Sequence, residues 1–123
     1  MASSLKFAPS HEWASQDGEI VTVGISTFAV EQLTEPTFLE LPKLGRTVKA
    51  GEEVGIIESV KSTSPIYSPI AGEVIEVNQS AVDDLGLVNS DPTGKGWMFK
   101  VKLSGDLSHL LDETQYQAQI AGH

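Results

Sequence analysis

The run Glu58-Ser59-Val60-Lys61-Ser62 places one amine among hydroxyls and a carboxylate. Lys61 is the only basic residue between Ala50 and Gly94, a stretch that also holds Glu52, Glu53, Glu58, Glu73, Glu76, Asp83, Asp84 and Asp91. The apolar "VGIIESV" leads into it and the small polar "STS" follows, so the lysine suits the exposed tip of a hairpin. Most surface lysines are merely solvated. An isolated one on a rigid turn suits a second use, as the target of an enzyme that acylates a single lysine. Acylation would turn the ammonium into a neutral amide and move the formal net charge from −9 to −10.

Catalytic and metal constellations are harder to assemble. The histidines, His11, His109 and His123, are scattered, and "HEW" at His11 lacks the second histidine of a zinc-binding helix. Glycine-rich phosphate loops are absent. Ser59 precedes Lys61 by two, which is not a Ser-Lys catalytic spacing. Glu52-Glu53 reads as a solvated turn, and the acidic residues show no metal-ligand pattern. Without cysteine there is no disulfide, thiolate nucleophile or thiolate metal site, and a reducing compartment is the easier fit. The expectation is a protein that is not itself an enzyme.

The elements that must present Lys61 are short. A chain of 123 residues, 40% of them hydrophobic, is expected to form one globular domain, residues 1–123. A net charge of −9 argues against nucleic-acid binding and for a soluble monomer. No apolar run reaches the roughly 20 residues of a spanning helix, so no membrane partner is expected. "MASSLKFAPSHEW" has no apolar signal core and little basic charge, so no signal or transit peptide is expected. "IVTVGI" (Ile20 to Ile25) predicts a strand, and Thr27 to Leu33 a short helix capped by Ser26 or Thr27. Phe38 to Leu41, Gly55 to Val60, Ile66 to Ser68, a segment centred on Val74 and Ile75, and Trp97 to Leu103 predict further strands. Gly45, Gly51, Gly55 and Ala71-Gly72 mark turns. Asn78 is placed to cap a short helix near Ala81 to Leu85. Asp112 with Gln115 resembles a capping box for a C-terminal helical segment, about residues 106–121. Ala-Gly-Glu recurs at Ala50 and Ala71, either as two similar halves of a sandwich or as a chance repeat of a turn signal. Many short strands with little helix suggest a mainly β antiparallel sandwich or barrel.

Taken in order, "HEW", "TVGIS", "LELPKLG", "ESVK", "SPIAGEVIEVN" and "GWMFKVKL" resemble the glycine cleavage system H protein family, from about Leu5 to Ile120. "ESVK" followed eleven residues later by Gly72 is the mark of a lipoyl attachment hairpin, here about residues 55–77. "HEW" and "GW" narrow the resemblance to this family. It implies a barrel-sandwich hybrid with short helices and a C-terminal helix. It also implies (R)-lipoate in amide linkage to Lys61, with Glu58, Ser59, Val60 and Ser62 shaping the attachment turn.

The function implied is a shuttle. Glycine decarboxylase loads an aminomethyl group, aminomethyltransferase passes its carbon to tetrahydrofolate, and dihydrolipoyl dehydrogenase reoxidises the dithiol. A separate lipoate-attaching enzyme modifies the lysine. The setting would be the bacterial cytoplasm, or the mitochondrial matrix for a trimmed eukaryotic form. In the family the loaded arm parks in a surface cleft, where Ser10 and Glu12 match the N-terminal positions. Glu12 is an apt acceptor for an amine-bearing group, and a plain surface acid is the other reading.

Departures fall near that cleft. Leu33-Thr34-Glu35 stands where the family often has Leu-Gly-Asp, and Pro36 then suggests an edge or a bent strand entry. Pro65 replaces a frequent acid and Phe28 a frequent polar residue or histidine. Three other readings compete. A relay that hands lipoate to 2-oxoacid dehydrogenases would fit the Leu-Gly-Asp departure. A biotinyl carrier is disfavoured because Val60 and Ser62 stand where methionines flank its lysine. The third is an unmodified binding module.

Overall fold

A computed structural model of the chain describes residues 5–33, 35–105 and 107–121. Thr34, Asp106 and His123 lie outside the described residues. Among the described residues nine strands form two antiparallel sheets. They are β1 (Lys6–Phe7), β2 (Glu12–Asp17), β3 (Ile20–Ile25), β4 (Pro36–Glu40), β5 (Thr47–Val48), β6 (Glu53–Ser59), β7 (Thr63–Tyr67), β8 (Gly72–Val77) and β9 (Phe99–Leu103). One sheet has the order β1-β2-β3-β9-β8-β5 and the other β4-β6-β7. Helices α1 (Thr27–Leu33), α2 (Gln79–Asp83), α3 (Gly86–Ser90) and α4 (Glu113–Ala121) complete the fold. The expected mainly β sandwich with a C-terminal helix is therefore what forms.

Alternation builds the core. Val21, Val23 and Ile25 of β3, Val54 and Ile57 of β6, Val74 of β8, and Phe99 and Val101 of β9 all point inward and are buried. Val74 and Ile75 stand at the centre of β8 as expected, with Ile75 exposed where the β8–β9 register shifts between Val74 and Glu76. The extra residue of the bulge leaves it outside the ladder.

"HEW" and "TVGIS" are two halves of one construction. Trp13 on β2 pairs with Gly24 on β3. Its indole lies over the glycine so closely that a Cβ on residue 24 would come within 2.7 Å of the ring. Trp13 Nε1 then donates to the Pro92 carbonyl at 3.0 Å. The same ring joins Phe7 and Tyr116 in a second apolar cluster, which fastens α4 to the larger sheet.

Several boundaries differ from the expectation. Lys61's hairpin is β6–β7, Glu53 to Tyr67, shorter than residues 55–77, because β8 departs for the other sheet. Between them Ile70 is buried and Ser68 Oγ donates to its carbonyl at 2.6 Å, fixing the crossover. Gly55 lies inside β6, not in a turn. Asn78 occupies the N-cap of α2, but its side chain donates instead to the carbonyls of Lys95 (2.9 Å) and Trp97 (2.7 Å). The C-terminal helix starts at Glu113, with Asp112 and Gln115 exchanging the reciprocal capping-box bonds at 3.0 and 2.7 Å. Pro36 enters β4 on a sheet edge with a register shift before Phe38, as its missing N–H requires.

Ala50 and Ala71 of the recurring Ala-Gly-Glu precede strands of different sheets, β6 and β8. Their glycines do different work. Gly72 has φ +156°, and a Cβ there would lie 2.1 Å from the Lys102 carbonyl oxygen and 2.5 Å from Val101 Cγ1. A Cβ on Gly51 (φ +83°) would meet no atom within 4 Å.

Candidate functional site

Lys61 stands exposed in the four-residue turn that joins β6 to β7. The Ser59 N–H donates to the Ser62 carbonyl at 2.7 Å and closes it. Ser59 Oγ accepts the N–H groups of Lys61 (3.2 Å) and Ser62 (3.1 Å), so the turn is braced from inside. Val60 is 67% exposed beside the lysine. Glu58 lies at the turn's base, its carboxylate accepting a long bond from Thr63 Oγ1 at 3.5 Å. The amine is thus free to extend, on a backbone that is not.

The other side of this turn borders a cleft of about 440 Å³. That is within the size range of small-molecule sites. Ser62, Ser64 and Pro65 line it from the hairpin, Ser10, His11 and Glu12 from the N-terminal segment, and Phe28, Ala29, Gln32 and Leu33 from α1. Ile25 and Ile57 contribute apolar surface. Phe28 and Pro65, two of the departures noted in the sequence, both face this space. Among the described lining residues, Glu12 is the only carboxylate.

Glu12 is no surface acid. It is 2% exposed, held by the Ser10 hydroxyl on Oε1 and by the Tyr67 N–H on Oε2 at 3.1 Å. Burial pushes its carboxyl up from 4.5 to about 7, and the two donors pull only partly the other way. A group poised near neutrality can hold a cation as carboxylate or donate as acid. Strand β2 begins at this residue, so its backbone is fixed by pairing with Ile25.

Ser10, Glu12 and Ser62 are therefore brought to one cleft, with Lys61 beside it. Glu58, Ser59 and Val60 stay at the turn. The sequence reading missed the residues behind Glu12. His11 has φ +80°, a conformation L residues seldom adopt. Its Nδ1 lies 2.7 Å from the Tyr116 hydroxyl, which lies 2.7 Å from Ser26 Oγ. Tyr116 and Ser26 are both 2% exposed. A partner 105 residues away leaves no local signal.

A sequence profile of the family described as "Glycine cleavage H-protein" matches residues 5–123. The chain belongs to the glycine cleavage H-protein family. A glycine cleavage system H protein of Alcanivorax borkumensis is 47% identical over 120 residues, 96% of this chain and 94% of that protein. The H protein of Thermobifida fusca is 49% identical over 120 residues, 98% and 95% of the two chains. The crystal structure of a glycine cleavage system H protein from Mycobacterium marinum superimposes with a TM-score of 0.89 at 36% identity, over 98% of this chain and 99% of that one. Membership supports a lipoyl-carrier role in the glycine cleavage system, in a family of carriers rather than catalysts. No helix among the described residues is long and apolar enough to cross a membrane.

Proposed function

We propose that this chain carries lipoate in amide linkage on Lys61 and uses it to shuttle an aminomethyl cargo from glycine decarboxylase to aminomethyltransferase, with dihydrolipoyl dehydrogenase restoring the dithiolane. One observation carries the reading: an exposed lysine on a braced turn borders a cleft whose only described carboxylate is buried near neutrality. Lipoate supplies the sulfur chemistry that the cysteine-free chain lacks.

The chain's own residues present and protect. The Ser59 brace offers Lys61 to a lipoate-attaching enzyme at a fixed place. Glu12, as carboxylate, accepts a charge-assisted hydrogen bond from the amine-bearing cargo. Ser10 and the Tyr67 N–H hold Glu12 in the orientation that receives it. Ile25, Phe28, Leu33 and Ile57 line the space with apolar surface and keep water from the cargo. The protein works as a single domain and a monomer, and a cytoplasmic setting goes with its bacterial relatives.

Peptide mass spectrometry of natively expressed protein tests the attachment, and reconstitution with purified glycine decarboxylase and aminomethyltransferase tests the shuttle. Lipoyl mass on the Lys61 peptide with glycine-dependent transfer is expected. Lipoate on Lys49 or Lys95 would remove the assignment. Lipoate on Lys61 without transfer would favour the relay to 2-oxoacid dehydrogenases.

A further inference from the structure

Tyr116 ties three elements together at one atom. It projects from α4, stacks on Phe7 with ring centroids 4.3 Å apart and planes 6° apart, and is buried. Its hydroxyl meets two groups, one on the N-terminal segment that lines the cleft and one just before α1. His11 Nδ1 belongs to the N-terminal wall, and Ser26 Oγ accepts the Ala29 N–H at 3.2 Å in the first turn of α1. The three polar atoms form one continuous chain, so the Tyr116 hydroxyl has a hydrogen-bond partner on each side. His11 in turn packs against Phe28 of α1, with ring centroids 4.9 Å apart.

The linked residues are those that shape the cleft. His11 immediately precedes Glu12, and its left-handed backbone is a conformation that surrounding contacts must hold in place. The Ser26 N–H also donates to the His11 carbonyl at 2.9 Å, so the two walls meet by backbone as well as through Tyr116. No described residue of α4 lines the cleft; Tyr116 acts on it from behind.

We propose that Tyr116 is a positioning residue for the cleft: its hydroxyl clips His11 to Ser26 and so sets Glu12 and the α1 wall at the spacing that receives the arm's cargo. The proposal deepens the docking of cargo beside Glu12 and rests on that reading for its effect on cargo. Its effect on Glu12 can be read without lipoate.

Tyr116→Phe keeps the ring on Phe7 and deletes the clip. In unlipoylated full-length protein, the Glu12 carboxyl resonance should titrate with a midpoint moved down from about 7 toward the ordinary 4.5, because a loosened wall lets water reach it. In lipoylated, glycine-loaded protein, formaldehyde release should rise about two- to tenfold, the value of one net hydrogen bond. In a Glu12→Gln background Tyr116→Phe should add less than in the wild type, since part of its effect runs through Glu12 and the rest through the α1 wall. Ser26→Ala removes the other half of the clip and should shift the Glu12 midpoint in the same direction.

An unmoved Glu12 midpoint in both variants overturns the proposal, even where melting temperature falls, because Tyr116 is then only a packing residue. Faster release from Glu12→Gln but not from Tyr116→Phe overturns it as well. Unchanged release from Glu12→Gln removes the docking reading instead, and the titration alone then judges Tyr116.

Discussion

Lys61 and Glu12 border the same cleft and owe their chemistry to opposite circumstances. Lys61 is exposed on a four-residue turn that one serine braces from within. Glu12 is buried, and it is burial between strands of the two sheets that pushes its carboxyl up to about 7. A tethering residue needs reach, so local sequence suffices for it. A holding residue needs a desolvated, preorganised surround, which only tertiary structure provides.

The first way to break this comparison is at the tether. Lys61→Ala should abolish the lipoyl mass increment and all glycine cleavage activity in the reconstituted system. It should leave the fold and the Glu12 titration intact. A Glu12 midpoint that moved with Lys61→Ala would show that the two regions are not separable.

The scaffold beneath both is the next target. Gly72→Val drives a side chain into the Lys102 carbonyl and Val101, at a φ that valine resists. A loss of at least ~3 kcal/mol is expected, measured by chemical denaturation. Because β8 joins β9 and β5, and not the Lys61 hairpin, the damage should be global. Undiminished stability would mean that the crossover at Ser68 to Ala71 tolerates a different backbone path.

At the holding residue the expected effect depends on pH. The folded-state pKa of Glu12 is raised from 4.5 to about 7. Its protonated form is therefore favoured on folding. That contribution is fully present below pH 4.5 and is lost as pH climbs to about 7. The amplitude is roughly 3 kcal/mol at most, because each pH unit separating the folded and unfolded midpoints is worth about 1.36 kcal/mol. Glu12→Gln cannot titrate, so stability of the wild type relative to the variant should fall across that window and level off above it. A flat difference between pH 4 and 8 would place Glu12 in contact with water.

The same substitution should accelerate loss of the aminomethyl cargo while sparing lipoylation of Lys61. A charge-assisted bond contributes roughly 1.5–3 kcal/mol when shielded, and Pro65 supplies no second acid to share the load. Formaldehyde release about ten- to a hundredfold faster is expected at pH 8, where wild-type Glu12 is ionised, with a smaller ratio at pH 6. Equal rates at equal loading would leave the arm held by apolar contacts alone, with Phe28 the prime candidate.

How each region could be read in the sequence follows from the same contrast. "ESVK", its solitary lysine and the alternating strands around it carry their meaning within a dozen residues. The sandwich, α1 and the Asp112–Gln115 box were legible for the same reason. Glu12 could be named only through the family pattern, and its burial could not be foreseen, since "HEW" looks like a polar strand start. β2 itself, Glu-Trp-Ala-Ser-Gln-Asp, has little strand propensity and forms because Trp13 finds Gly24 across the ladder. β1 and β5 are two residues long and are defined by their partners. In the sequence Tyr116 is simply an aromatic residue within the C-terminal helical segment. Its hydroxyl acquires a role only when residues 11, 26 and 116 meet.

The smallest effect expected is at the brace of the turn, and it sharpens the comparison from the tether's side. Ser59 Oγ accepts two backbone N–H groups, from Lys61 and Ser62, and donates a longer bond to the Ser62 carbonyl at 3.3 Å. All three bonds are open to solvent. Water can replace them, so their loss should contribute only about 0.5 kcal/mol, the low end for a net hydrogen bond. The Ser59 N–H to Ser62 carbonyl bond survives in Ser59→Ala and keeps the turn closed. Lipoylation under limiting enzyme should therefore slow by about twofold, the rate equivalent of that energy, and still run to completion. The Glu12 midpoint and the rate of formaldehyde release should not move, because Ser59 does not line the cleft. A loss of lipoylation comparable to that of Lys61→Ala would mean that the tether depends on its surround as heavily as Glu12 does. The distinction between a residue that needs reach and one that needs enclosure would then fail at this hairpin.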